Sequence, residues 1–143
     1  MIKKFHEFEH YSKSVILPIS TDIEKMIVDC NLYHVTKQKN ALNIITHDYF
    51  RTTMGVVGIR GLSTTFDSQY HWGSNEVKFI LDYRKLNEDY QLIFVDEKLG
   101  IDESEIKVVS DTAITNARKY IKDILYNGDD EDFVVIIKKY LFG

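Results

Sequence analysis

The chain has 143 residues and a formal net charge of −4, with 44% hydrophobic and 28% charged residues. This length and composition are typical of one globular domain, so we expect a single domain over residues 1–143. The acidic balance argues against a broad surface that tracks nucleic-acid phosphates, and the single cysteine excludes an internal disulfide.

The N-terminal residues predict neither secretion nor membrane insertion. Residues 5–14 are too polar for the apolar centre of a signal peptide, and no apolar run approaches the roughly 20 residues of a membrane span. We therefore expect a cytoplasmic protein that does not bind a membrane. The sequence still allows a local basic patch. Its candidate residues are Lys37 and Lys39, Arg51 and Arg60, or Lys119 and Lys122.

A helix is predicted shortly after Pro18, the only proline. Thr21 and Glu24 fit a capping box, in which the Thr side chain caps the helix and the Glu side chain reaches back. The apolar residues that then fall on one helical face are Ile23, Met26, Ile27 and Cys30.

The middle of the chain predicts strands separated by one helix and one glycine-rich loop. Residues 32–36 predict a short strand, and residues 39–46 predict a helix with four apolar positions. The three glycines of residues 54–61 predict a mobile loop. Residues 62–65 and the nearly continuous apolar run 77–81 predict two further strands.

The last third of the chain predicts two more strands and a final helix. Residues 90–95 and the alternating residues 105–109 are strand-like, whereas residues 117–126 fit a helix or a strand equally well. The acidic residues 129–132 predict the start of a helix, since the helix dipole favours negative charge there. Its expected buried stripe is Phe133, Ile136, Ile137, Tyr140 and Leu141.

Three short segments hold residues suited to chemistry. The first is Leu32-Tyr33-His34-Val35-Thr36, a histidine on a strand that precedes a helix. The second is Leu62-Ser63-Thr64-Thr65, with three consecutive hydroxyls that can bind a ligand or brace the backbone. The third contains Glu103 and Glu105, which point to the same face if the segment is a strand.

Taken in this order, the three segments resemble the motifs of ADP-ribosyltransferase-like domains. Tyr33-His34-Val35-Thr36 resembles the opening motif, Ser63-Thr64-Thr65 the Ser-Thr-Ser strand, and Glu103-Ser104-Glu105 the Glu-x-Glu motif. The resemblance covers residues 32–125 and implies an α+β fold with a split β-sheet core, flanked by N-terminal and C-terminal helices. It also implies that residues 119–125 form a late strand.

The resemblance implies a transferase of the glycosyltransferase class that uses NAD as co-substrate. Glu105 would stabilise the positive charge on the ribose, and Glu103 would contact the acceptor; both would be catalytic. His34 would donate or accept a hydrogen bond at a ribose hydroxyl, with Thr36 in the same motif, while Ser63 and Thr64 would brace the site. One aromatic ring would stack on nicotinamide, and the candidates are Phe50, Phe66, Tyr70 and Trp72.

The implied acceptor is a macromolecule, either a protein or a nucleic acid, and the small size is typical of a phage effector that modifies a host component in the host cytoplasm. Tyr70 is placed with the NAD-binding residues, although the sequence leaves the choice among the four aromatics open. No metal ligand is expected in this site.

The alternative function is that of a non-catalytic protein on the same fold, which binds a nucleotide or blocks a partner. RNA 2′-phosphotransferases also share the Tyr-His opening.

A different hypothesis comes from His6-Glu7-Phe8-Glu9-His10, which matches the H-E-x-x-H pattern of zinc hydrolases. On a helix, both histidines would lie on one face and Glu7 would act as a general base. The motif lies too close to residue 1 for the sheet that normally precedes such a helix. A charged N-terminal helix or coil is therefore the preferred interpretation.

Overall fold

A computed structural model describes residues 14–55, 58–97 and 104–142. Its centre is an antiparallel sheet of seven strands. These strands are β1 (Ser14–Pro18), β2 (Asn31–Thr36), β4 (Gly61–Thr65), β5 (Val77–Asp82), β6 (Gln91–Glu97), β7 (Ser104–Val109) and β9 (Ile121–Tyr126). They lie in the order β1-β6-β7-β4-β2-β5-β9, and β3 (Tyr49–Phe50) pairs with β8 (Ile114–Thr115) in a second sheet.

Within the described residues, five α-helices accompany the strands. They are α1 (Thr21–Met26), α2 (Gln38–His47), α3 (Tyr83–Asp89), α4 (Ala117–Tyr120) and α5 (Glu131–Ile137). A 3₁₀ turn follows α1 at Val28–Cys30, and α5 continues as a π-helix over Lys138–Phe142. Among the described residues, no helix combines the length and the apolar character that crossing a bilayer requires.

The seven-stranded sheet is interrupted between β2 and β4. These two strands pair only at Tyr33 and Thr65, whereas β2 pairs with β5 along its whole length and β4 pairs likewise with β7. Beyond that one pair, the backbone groups of β2 and β4 are no longer joined to each other. The interruption opens a cleft in the middle of the sheet, between two well-paired halves.

The hydrophobic core covers one face of the sheet. Phe79, Leu81 and Ile106 are fully buried there, and Ala41 and Ile45 of α2 are fully buried against them. Alternation along each strand brings these side chains to one face, because successive residues of a strand point to opposite sides. The helical stripe of α2 covers that face, so both sides of the cleft rest on a packed core.

The α+β class and most predicted elements are confirmed. The strands expected at 32–36, 62–65, 77–81, 90–95 and 105–109 are present, with their ends shifted by one or two residues. The ambiguous residues 117–126 divide into α4 and β9. Asp130 caps α5 by accepting hydrogen bonds from the backbone N–H groups of Asp132 and Phe133, so the acidic run does begin a helix.

Other details of the predicted elements were wrong. The first helix is capped by Ser20 rather than Thr21, because the Ser20 hydroxyl accepts the backbone N–H of Ile23. Met26 is 52% exposed, since α1 has fewer than two turns and buries mainly Ile23. Strand β1 and helix α3 were not predicted. The glycine-rich loop expected at 54–61 is shorter, because Gly61 already belongs to β4 and exchanges two backbone hydrogen bonds with Thr53.

Candidate functional site

The cleft between β2 and β4 brings together most of the predicted site residues. It contains a cavity of about 160 Å³ whose lining includes five of the predicted residues. These five are His34, Ser63, Thr64, Tyr70 and Glu105, and the remaining lining residues are Tyr33, Val35 and Thr65. The three motifs reach one place because β2, β4 and β7 are spatial neighbours in the sheet.

His34 bridges the cleft at the point where the ladder between β2 and β4 is lost. Its Nδ1 lies 2.7 Å from the backbone oxygen of Ser63. A carbonyl oxygen only accepts, so Nδ1 carries the hydrogen and Nε2 of the neutral ring is left as an acceptor. The ring of Phe50 meets the His34 ring edge-on at 5.9 Å. These two contacts fix both the tautomer and the orientation of the imidazole.

Burial lowers the pKa of His34 below 6.5, and the hydrogen bond to Ser63 opposes that shift without cancelling it. Burial acts in this direction because the cleft desolvates the charged imidazolium. His34 is therefore neutral at pH 7, which is the form that can accept a hydrogen bond at Nε2.

The lowered pKa of His34 predicts a loss of stability in acid. The unfolded chain binds the proton at about the ordinary pKa of 6.5, and the folded chain binds it only at lower pH. The free energy of unfolding should therefore fall as the pH drops from 6.5 through the folded-state pKa. Urea denaturation across this pH range should show a shallower fall for His34→Gln than for the unsubstituted protein. Equal pH dependence in the two proteins would contradict the prediction.

Glu105 is half-buried in β7, directly opposite Thr65 of β4. Directly opposed residues of antiparallel strands have their side chains on the same face, so Glu105 and Thr65 lie side by side. The buried hydroxyl of Thr64 donates to the backbone oxygen of Ile106 at 2.7 Å, next to Glu105. Thr64 thus ties β4 to β7 from the face opposite to Glu105, because Thr64 pairs with Ile106 and Thr65 pairs with Glu105.

One predicted residue, Thr36, does not line this cavity, and another, Glu103, cannot be placed relative to it. Thr36 is 9% exposed and lines a second, larger cavity. Glu103 lies outside the described residues, and so does the stretch His6-Glu7-Phe8-Glu9-His10. Within residues 14–55, 58–97 and 104–142, no group of three or more His, Cys, Asp or Glu side chains is arranged to hold a metal ion.

The larger cavity, of about 650 Å³, shares His34 and Ser63 with the smaller one. It extends from the cleft along α2 and β3. Its polar lining is basic or neutral, and none of the described residues that line it is an Asp or Glu. The side chains that give it this character are Lys39, Asn40, Asn43, His47 and Arg51. In a chain of net charge −4, such a lining favours an anionic ligand.

The four aromatic candidates occupy different environments. Phe50 is fully buried and lines the larger cavity, while Phe66 stacks on Phe94 at 6.4 Å. Trp72 lies against the ammonium group of Lys78, 4.9 Å from the centre of its ring. Tyr70 is the one of the four that lines the smaller cavity with Glu105.

Sequence reasoning missed Lys78, which is only 2% exposed although it is a lysine. Its Nζ donates to the backbone oxygens of Ser68 and Tyr70, at 3.1 and 3.2 Å. The available signal was a lysine inside the otherwise apolar run 77–81, since charged side chains are rarely buried without a specific partner.

Comparison with protein-family models, with curated proteins and with solved structures found no match to this chain. The functional interpretation therefore depends on the residues of the cleft and on their geometry.

Proposed function

We propose that this chain is an NAD-dependent ADP-ribosyltransferase that modifies a protein or a nucleic acid. One observation carries the proposal: His34, Ser63 and Glu105, from three separate segments, line a single cavity at the interruption of the sheet. The three segments lie far apart in the sequence, on three different strands. Their convergence supports a shared role.

The chemistry assigned to Glu105 follows from the charge that the reaction develops. The bond between C1′ of the ribose and the nicotinamide nitrogen breaks, and its electron pair leaves with nicotinamide. Positive charge then builds up on the ribose, and a fixed carboxylate beside the sugar lowers the energy of that state. The acceptor's nucleophilic atom forms the new bond to C1′ and gives up its proton.

Neighbouring groups would hold the sugar and the leaving group. Nε2 of His34 is an acceptor, so a ribose hydroxyl can donate to it. The half-buried ring of Tyr70 can stack on nicotinamide, and Ser63 offers a hydroxyl at the mouth of both cavities. These contacts bind the ribose next to Glu105 and orient its C1′ atom.

The two neighbouring cavities, which share His34 and Ser63 in their linings, suit the two halves of NAD. A cavity of about 160 Å³ is smaller than the roughly 300–1,000 Å³ of most ligand pockets, so it is too small for the whole dinucleotide. It would take the nicotinamide ribose. The larger cavity, with its basic lining, would take the ADP half, and Lys39 and Arg51 would lie near the diphosphate.

Removal of Arg51 should weaken NAD binding. If its guanidinium contacts the diphosphate, Arg51→Gln should raise the dissociation constant for NAD about tenfold, as expected for loss of a charge-assisted hydrogen bond at an exposed site. Isothermal titration calorimetry measures the change. Arg84→Gln, on the exposed surface of α3, is the matched control and should leave the affinity unchanged. Equal affinities for the two variants would contradict this placement of the diphosphate.

The proposal is tested by incubating the protein with NAD labelled in its ADP-ribose half and with a cell lysate. Release of nicotinamide together with covalent label on a macromolecule is the expected result. Treatment of the product with protease or nuclease then identifies the acceptor class. Binding of NAD without nicotinamide release would favour the non-catalytic nucleotide-binding protein instead. A protein that neither binds NAD nor releases nicotinamide would overturn the proposal.

A further inference from the structure

The loop between β4 and β5, residues 66–76, forms one wall of the candidate site. It contributes Tyr70 to the small cavity, and residues 68–73 also line a separate cavity of about 400 Å³ together with Lys78 and Asn127. The loop contains no helix or strand. Two backbone hydrogen bonds form turns within it, from the N–H of Tyr70 to the oxygen of Asp67 and from the N–H of Asn75 to the oxygen of Trp72. These turns do not attach the loop to the sheet, so side chains must make that attachment.

Lys78 supplies contacts that fix the first half of this loop. Its Nζ donates to the backbone oxygens of Ser68 and Tyr70, on both sides of Gln69. The same ammonium group faces the rings of Trp72 and Tyr33, with its Nζ 4.9 and 5.8 Å from their centres. A cation over an aromatic face is attracted by the ring quadrupole. Four residues, three of them in the loop, thus contact one buried ammonium group.

The second half of the loop is attached to α2 by different groups. Nζ of Lys37 donates to the hydroxyl of Ser74 at 2.9 Å, and the carboxylate of Glu76 accepts the backbone N–H of Gln38 at 3.0 Å. Loss of Lys78 would leave these contacts in place. The segment around Tyr70 would then lose the two hydrogen bonds from Lys78 while the end of the loop stays attached.

Burying an ammonium group is costly, and an apolar side chain would fill the same space with less desolvation. Lys78 is 2% exposed, the described ion pairs do not include it, and Asp67 of the same loop is the charged group that acts on it. A role limited to core packing would not require its charge. The orientation of its hydrogen bonds towards one loop points to a role in placing that loop.

We propose that Lys78 is a positioning residue, which acts through the loop to hold Tyr70 in the cleft beside Glu105. The inference rests on the proposed function in assigning Tyr70 to the nicotinamide end of NAD. The placement of the loop by Lys78 can also be tested without NAD.

Lys78→Met removes the charge and keeps an apolar chain of similar length. We expect a change of only a few degrees in the melting temperature, because the relief of the buried charge offsets part of the cost of leaving the oxygens of Ser68 and Tyr70 without this donor. Amide hydrogen exchange in residues 68–73 should become about tenfold faster or more, as the loop loses two charge-assisted hydrogen bonds. Lys122→Met is the matched control, since Lys122 also donates to a backbone oxygen, that of Asp29, but is exposed on β9.

NAD affinity should fall in Lys78→Met, and this loss should disappear when Tyr70→Ala is already present. Such non-additivity is the signature of one residue acting through another. The intrinsic fluorescence of Trp72, the only tryptophan, gives an independent readout of the environment around Lys78.

Two results would overturn the inference: unchanged exchange in residues 68–73, or an affinity loss that persists in full beside Tyr70→Ala. If the unsubstituted protein does not bind NAD, the proposed function fails. Faster exchange in Lys78→Met would then still support the placement of the loop by Lys78.

Discussion

Glu105→Gln is expected to reduce nicotinamide release by about 10²–10³-fold, the loss typical of removing one electrostatic group from the transition state. Gln has nearly the same shape as Glu and keeps one hydrogen-bond acceptor, but it lacks the negative charge. The positive charge on the ribose exists only as the bond to nicotinamide breaks. The substitution should therefore lower kcat much more than it changes the affinity for NAD.

Initial rates at saturating NAD, with affinities from calorimetry, separate these two effects. Glu88→Gln is the matched control because it makes the same chemical change at an exposed position of α3. It should retain the activity of the unsubstituted protein. Circular dichroism should show the same folded state for both variants. Equal activity of the two variants would contradict the role of Glu105. A lower rate that is explained by weaker NAD binding alone would contradict it as well.

The location of the candidate site followed from local sequence patterns. His34, Ser63 and Glu105 each lie on a strand that the sequence predicted, and each strand belongs to the same sheet. Alternation along the strands places Ser63 and Glu105 on one face and His34 on the other, since Tyr33 is the residue that pairs with Thr65. The three side chains therefore meet only where the sheet is interrupted between β2 and β4. The resemblance supplied the roles of the residues, which the apolar pattern does not contain.

Other features depend on contacts that no local pattern encodes. Lys39 and Arg51 line one cavity although they come from α2 and from the residue after β3. Lys78 is buried because a loop without regular structure folds over it. Helix α3 was missed since it has only two buried residues, Tyr83 and Leu86, and begins directly after β5.

Strand β1 was missed for a related reason. It pairs only with β6, at one edge of the sheet, and Ile16 and Leu17 remain 43% and 39% exposed. A strand at an edge is defined by its hydrogen-bonding partner more than by a buried face. The alternation that identified the central strands is therefore weak in this segment.

Phe79→Ala is expected to lower the free energy of unfolding by about 3–5 kcal/mol, the range for truncating a fully buried Phe. Phe79 is fully buried in β5, directly opposite His34 of β2. Its ring meets that of Phe50 edge-on at 5.7 Å, and Phe50 in turn meets the His34 ring. Truncation leaves a void beside Phe50. The lost free energy of unfolding is a large part of the total for most domains, which is about 5–15 kcal/mol.

Phe142→Ala provides the matched control, because the same atoms are removed from a ring that is 56% exposed. It should cost less than about 0.5 kcal/mol. Urea denaturation at pH 7 measures both changes, and equal losses would contradict the placement of Phe79 in the core. Below its melting temperature, Phe79→Ala should also bind NAD more weakly, because Phe50 then supports the His34 ring less firmly. The core and the cleft are coupled through these three rings.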